Sequence, residues 1–148
     1  MLTKETAFQA LKNVITQKYI VIESSFSDLN SAVKDDSKST AGDKHETGRA
    51  MVHLEQEKLS QQLTMLNDLR EALSKINPLE KYSKIQFGSF VQTNKGYFFF
   101  SVGLGKIQVG NDAVFCLSIT TPLGKVLAGK KVGDISQFNG EIEILTVE

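Results

Sequence analysis

The feature that most restricts this chain is an unbroken helical spacing of apolar residues across its first half. Gly42 is the first glycine and Pro78 the first proline, so residues 1–41 contain neither strong helix breaker. Phe8, Leu11, Ile15, Tyr19, Ile22, Phe26, Leu29 and Val33 recur at intervals of three and four. That spacing lines one face of a long helix. Thr3, with Thr6 or Glu5 close behind it, offers a capping group at the start. From near Asp43 a second stripe runs through Val52, Leu59, Leu63, Leu66, Leu73 and Ile76, flanked by Leu54 and Leu69. Gln56, Gln61, Gln62, Asn67 and Asp68 fall on its outer face. Asn77-Pro78 ends this segment, because the residue before a proline is pushed out of the α region.

Each helix holds roughly 30 residues and is about 45 Å long at 1.5 Å per residue. One stripe per helix is too narrow for a globular core and suits a two-helix seam. The polar connection from Lys34 to Gly42 is short. Residues 1–77 are therefore expected to form an antiparallel hairpin with its tip at about 34–46, at one end of a rod.

After Pro78 the period changes. Ser89–Thr93 and Tyr97–Val102 flank Asn94-Lys95-Gly96, a β-hairpin signal. Ala113–Ile119 has the apolar run of a buried strand. Pro122 stands at a first helical position, and Gly129 would stop a short helix. Asn139-Gly140 marks a turn into a last strand over 141–147. Phe98, Phe99 and Phe100 cannot all face one way in a strand. The fold class is α+β, with residues 79–148 as a separate small unit.

Charge is balanced: 17 basic and 17 acidic side chains give a formal net charge of +0. A protein held to DNA mainly by phosphates would be more basic, while a protein-mediated route to nucleic acid stays open. The single cysteine, Cys116, allows no internal disulfide and no cysteine-based zinc site, and its apolar neighbours mark it as a small core residue. His45 and His53 are two helical turns apart, too far to share a metal. No apolar run approaches the roughly 20 residues of a membrane span, and the opening residues lack a signal-peptide core. A cytoplasmic protein, monomeric and without membrane partners, is the expectation.

Two stretches carry a family resemblance. Ile85-Gln86-Phe87-Gly88-Ser89 and the run from Thr121-Pro122-Leu123-Gly124 to Gly129-Lys130-Lys131-Val132-Gly133-Asp134 are similar to the motifs of the Gre carboxy-terminal domain. Ile142-Glu143-Ile144-Leu145 resembles that family's last strand. Gly42-Asp43-Lys44-His45-Glu46, at the bend of the hairpin, is similar to the Gly-Asp-x-x-Glu tip of Gre factors. The resemblance covers nearly the whole chain and implies an FKBP-like fold for residues 79–148, without isomerase activity. It further implies an accessory factor, not itself an enzyme, that binds bacterial RNA polymerase through the secondary channel. There it would stimulate hydrolytic cleavage of backtracked RNA and rescue stalled elongation complexes. Contact with DNA would come only through the polymerase. The tip departs from the family where Leu-Ser become Lys44-His45 and the following Asn and aromatic are missing.

The resemblance makes Asp43 and Glu46 the catalytic carboxylates, helping to hold Mg²⁺ at the polymerase active site, with no cofactor on the chain alone. Two carboxylates three apart on a helix face suit a hard divalent cation. The same pair also fits a plain capping box, Asp43 as N-cap and Glu46 at N3. Asp35 and Asp36 add negative charge across the bend, as acidic tips do in DksA-like factors, or form a solvated loop. Lys34, Lys38, Lys44 and Arg49 temper that charge, and His45 is either a pH-tuning imidazole or a plain exposed histidine. Thr121, Pro122, Leu123 and Gly124 are the implied polymerase-docking turn. Residues 84–131 hold six lysines and one acid, Asp112, which would make one face locally basic. A non-cleaving secondary-channel regulator, DksA-like or an anti-cleavage Gre homologue, is the alternative. A stand-alone binding or prolyl-isomerase-like module is a third.

Overall fold

The computed structural model describes the backbone of residues 2–36 and 42–148, and the side chains of residues 2–31 and 48–148. Its elements are α1 (Lys4–Asp36), α2 (Gly42–Ser74), β1 (Phe90–Thr93), β2 (Gly96–Phe100), β3 (Gly105–Val109) and β4 (Asp112–Leu117), then α3 (Pro122–Leu127), β5 (Ile135–Gln137) and β6 (Glu141–Val147). The class is α+β: two long helices, then a six-stranded sheet with one short helix. Two compact units divide the chain, Ile15–Asp68 and the combination of Met1–Val14 with Leu69–Glu148. The division passes through both long helices.

The start of α1 is capped as its threonines suggest. Thr3 N–H donates to Thr6 Oγ1 at 3.0 Å, and Thr6 N–H donates back to Thr3 Oγ1 at 3.2 Å. This is the reciprocal logic of a capping box, with threonine replacing the usual acid. Both α1 and α2 then run for 33 residues.

In the unit Ile15–Asp68, the buried apolar side chains are Ile15 and Ile22 of α1 with Leu59 and Leu66 of α2. Tyr19, Phe26, Leu29, Val52 and Leu63 are half-buried. These positions follow the sequence stripes, while Val33 lies outside the described side chains. Asn30 Oδ1 accepts a bond from Gln56 Nε2 at 3.5 Å. Gln56 is thus half-buried on the seam, not on the outer face, because its place in the heptad is a seam position filled by an amide. Leu54 is 65% exposed and stands off the seam.

Toward the other unit the stripe shifts by one residue. Ala7, not Phe8, is fully buried, four residues before Leu11. Helix α2 ends at Ser74, ahead of the expected Asn77. Lys75 and Ile76 N–H groups reach back only three residues, to Ala72 and Leu73 carbonyls at 3.2 and 3.1 Å, which tightens the last turn. Asn77 Oδ1 then accepts from Leu79 N–H at 3.0 Å, an Asx turn around Pro78.

The sheet order is β3-β4-β2-β1-β6-β5. Strands β1 and β2 form the expected hairpin, and Gly96 adopts φ 119°, a backbone region that favours glycine. Strand β4 lies parallel to β2, while every other pairing is antiparallel. Strands β3 and β5, at the two edges, were not among the expected strands. Strand β4 stops at Leu117, short of Ile119, because the Ser118 carbonyl accepts the Thr121 hydroxyl at 2.8 Å and starts a turn.

The main core joins Ile85, Val91, Phe98, Phe100, Leu127, Ile142 and Ile144, with Leu123 and Val126 of α3 packed on it. Phe99 points to the opposite face, edge-on to Phe90 at 5.8 Å between ring centroids. All three consecutive phenylalanines are buried, so both sheet faces are covered. Cys116 is buried, and burial pushes its thiol up to about 12.

Candidate functional site

Helix α2 opens at Gly42, one residue before Asp43. Asp43 and Glu46 therefore occupy positions i and i+3 of one helix, so Asp43 is a helical residue and not the cap preceding it. Spacing of this kind places two positions on one face. The side chains of Asp35, Asp36, Asp43, Lys44, His45 and Glu46 lie outside the described side chains. Arg49 lies within them and is exposed. Among the described residues, no group of three His, Cys, Asp or Glu could hold a metal ion.

The Thr121–Gly124 turn is built in detail. Thr121 caps α3, its hydroxyl accepting the Gly124 N–H at 3.1 Å, and Pro122 follows in the first turn. A Cβ on Gly124 would sit 2.5 Å from the Ile119 carbonyl oxygen, so the turn closes only with glycine. Leu123 packs on the core. Of the four, only Pro122 is classed as exposed. The motif therefore has a structural role in each residue, and Pro122 is its most solvent-accessible member.

The following loop is equally determined. Ile85 N–H donates to the Lys130 carbonyl at 2.8 Å, and Gly129 N–H donates to the Ile85 carbonyl at 2.7 Å. Asp134 Oδ2 accepts the Lys131 N–H at 2.9 Å and closes the 131–134 turn. These bonds bring Lys84 opposite Lys131 as an isolated antiparallel bridge.

The six lysines of residues 84–131 are distributed over several elements. Lys95 belongs to the β1–β2 turn near Gly140, Lys106 to β3 opposite Phe115, and Lys125 to α3. Tertiary pairing sets Lys84 opposite Lys131, with Lys130 next to Lys131 in sequence. Sequence spacing hid this, since Lys84 and Lys131 are joined by tertiary pairing alone.

A second charged constellation has no sequence signature. Lys4, 2% exposed, donates its backbone N–H to Glu148 Oε2 at 2.9 Å and its ammonium to the Glu80 carbonyl. The same ammonium lies over the Tyr82 ring. Burial lowers the Lys4 pKa from its ordinary value, opposed by the charges of Glu80 and Glu148. Burial, then the charge of Glu80 and a hydrogen bond to its side chain, raises that of Tyr82. With every partner satisfied inside one unit, this group ties chain segments together and presents no reactive atom.

Among the described residues, no helix is long and apolar enough to cross a membrane. Comparison with protein-family models, curated proteins and solved structures finds no match to this chain.

Proposed function

We propose that the chain is a Gre-type accessory factor of RNA polymerase, which enters the secondary channel and stimulates the polymerase's own Mg²⁺-dependent hydrolysis of backtracked RNA. One observation carries this reading. One helix of 33 residues ends at Asp36, a second of 33 residues opens at Gly42 with Asp43-Lys44-His45-Glu46 following it, and a six-stranded sheet with Thr121-Pro122-Leu123-Gly124 opening α3 comes later in the same chain. In this proposal the second half is the family's FKBP-like docking domain, with Pro122 near the polymerase contact.

Asp43 and Glu46 would hold Mg²⁺ together with carboxylates of the polymerase. Their oxygens suit that hard cation, and two ligands alone are too few for a dedicated site. When bound, the ion supplies Lewis acidity and an activated water. The chain's own part is to carry two carboxylates on one helical turn to that place.

The substituted tip favours a second reading. Lys44, His45, Thr47 and Ala50 stand where the family pattern has Leu, Ser, Asn and an aromatic, which suits a secondary-channel regulator that does not cleave. Stalled complexes of the matching polymerase, incubated with the wild type and with Asp43→Ala and Glu46→Ala, separate the two. RNA shortening by the wild type, lost in both variants, supports cleavage. Polymerase binding without shortening transfers the assignment to the regulator, and absence of polymerase binding overturns both.

A further inference from the structure

The Lys84–Lys131 pair is an unusual use of a bridge. The flanking bond runs from Ile85 N–H to the Lys130 carbonyl, so Lys84 and Lys131 form the non-hydrogen-bonded type of antiparallel pair. That type brings facing side chains closest, with Cα atoms about 4.5 Å apart. Like charges directly opposite each other are destabilising. Both lysines are exposed, and Lys130 adjoins Lys131 in sequence. Asp134, the acid of the same loop, directs one carboxylate oxygen to the Lys131 backbone. The segments beneath are fixed by backbone bonds on both sides of Ile85, so the two ammonium groups cannot separate by backbone movement.

An exposed aromatic stands in the same segment. Gln86–Ser89 is a tight turn closed by Ser89 N–H to the Gln86 carbonyl at 3.0 Å, with Gly88 at φ 93°. Phe87, at the second position of that turn, is 36% exposed although the chain buries Phe90, Phe98, Phe99 and Phe100. Paired lysines and, three residues along the chain from Lys84, an exposed ring supply the two components of single-strand recognition: charge for the backbone and a face for a base.

We propose that Lys84 and Lys131, with Lys130 beside them and Phe87 at the adjoining turn, bind a single strand of nucleic acid. The ammonium groups take phosphates and the ring stacks a base. The net charge of zero confines this attraction to the patch. The inference does not rest on the hairpin tip or on polymerase binding, and the tip assay above leaves it untouched.

The test uses the full chain without polymerase and a fluorescein-labelled uridine oligoribonucleotide, followed by anisotropy over a potassium chloride series. Lys84→Gln with Lys131→Gln is expected to weaken binding roughly tenfold at low salt. It should also flatten the log–log salt slope by about 1.4, at 0.7 per lost phosphate contact. Phe87→Ala should weaken binding at least fivefold with the slope unchanged, since stacking carries no counterion release. Lys84→Arg with Lys131→Arg should retain affinity, and Lys95→Gln with Lys125→Gln should leave it as in the wild type. Absence of salt-sensitive binding in the wild type overturns the proposal. So does an equal loss in the Lys95/Lys125 pair, or displacement by polyglutamate as efficient as by unlabelled RNA, which would assign the patch to an acidic protein surface.

Discussion

The Lys4 ammonium lies 4.4 Å from the centroid of the Tyr82 ring, inside the range of a cation–π contact. Lys4 is withdrawn from water there, and its four-carbon stem is buried with it. Lys4→Ala removes both stem packing and the bond to the Glu80 carbonyl, and is expected to cost about 2 kcal/mol in urea denaturation. Lys4→Met keeps the stem volume and removes the desolvation cost, so its loss should stay within about 1 kcal/mol.

The same pair gives opposing pH dependences. Lys4 has a folded pKa below its unfolded 10.5, so the unfolded chain binds more protons just under that pH and stability rises with pH there. Tyr82 has a folded pKa above 10.0, so its contribution is lost as pH climbs beyond that value. Tyr82→Phe should therefore expose a rise in stability approaching pH 10.5 that the wild type masks. Denaturation midpoints at intervals between pH 8 and 11 would check it, and a falling curve in the variant would contradict the Lys4 assignment.

Gly124→Ala should destabilise by about 3 kcal/mol, because the new methyl meets rigid backbone at Ile119. Gly103→Ala, with nothing within 4 Å of its added Cβ, should change stability by less than about 0.5 kcal/mol. Thr121→Ala should cost about 1 kcal/mol through the lost cap, and Thr121→Ser much less. Thermal melts of the variants give the ranking. A docking defect in any of them is interpretable only after that folding effect is known.

Ser136 Oγ is buried without a hydrogen-bond partner, the residue being 8% exposed. Removing an unsatisfied hydroxyl removes its desolvation penalty. Ser136→Ala is expected to be neutral or stabilising by up to about 1 kcal/mol, contrary to the usual sign for a core substitution. Equilibrium unfolding measures this directly.

In the unit Ile15–Asp68, Leu66→Ala should cost about 3 kcal/mol as a cavity-forming change, and Leu54→Ala less than about 0.5 kcal/mol. Loss of helicity on heating, read by circular dichroism, separates them. Equal effects would contradict the seam.

Much of this architecture was legible because its signals are local. Thr3 and Thr6, the turn before Gly96, Thr121-Pro122 and Asn139-Gly140 each encode their geometry within a few residues, and each adopts it. The heptad spacing placed Leu59 and Leu66 correctly. What escaped notice depends on distant partners. Edge strand β5 has only three residues, β3 buries only Ile107, and the parallel pairing of β2 with β4 is a choice between strands that no local pattern records. Gln56 looked like solvent-facing polarity until Asn30 was seen to meet it. The partners of Lys4, namely Glu80, Tyr82 and Glu148, lie far along the chain and leave no local signal. At the tip, order and spacing singled out Asp43 and Glu46, but a two-carboxylate pattern does not say what those groups meet.

The division of the chain has a consequence for its birth on the ribosome. The unit that holds the sheet is discontinuous: Met1–Val14 is made before the Ile15–Asp68 unit, and the rest of its own unit begins only at Leu69. Ile15–Asp68 is in effect an insert, complete before its host can assemble. Ala7 and Leu11, fully buried in the finished protein, therefore gain no partner from the later part of their unit until Leu69 and the residues after it are made. Whole heptads removed in register from both arms of the insert would shorten it while leaving the host's own residues unchanged.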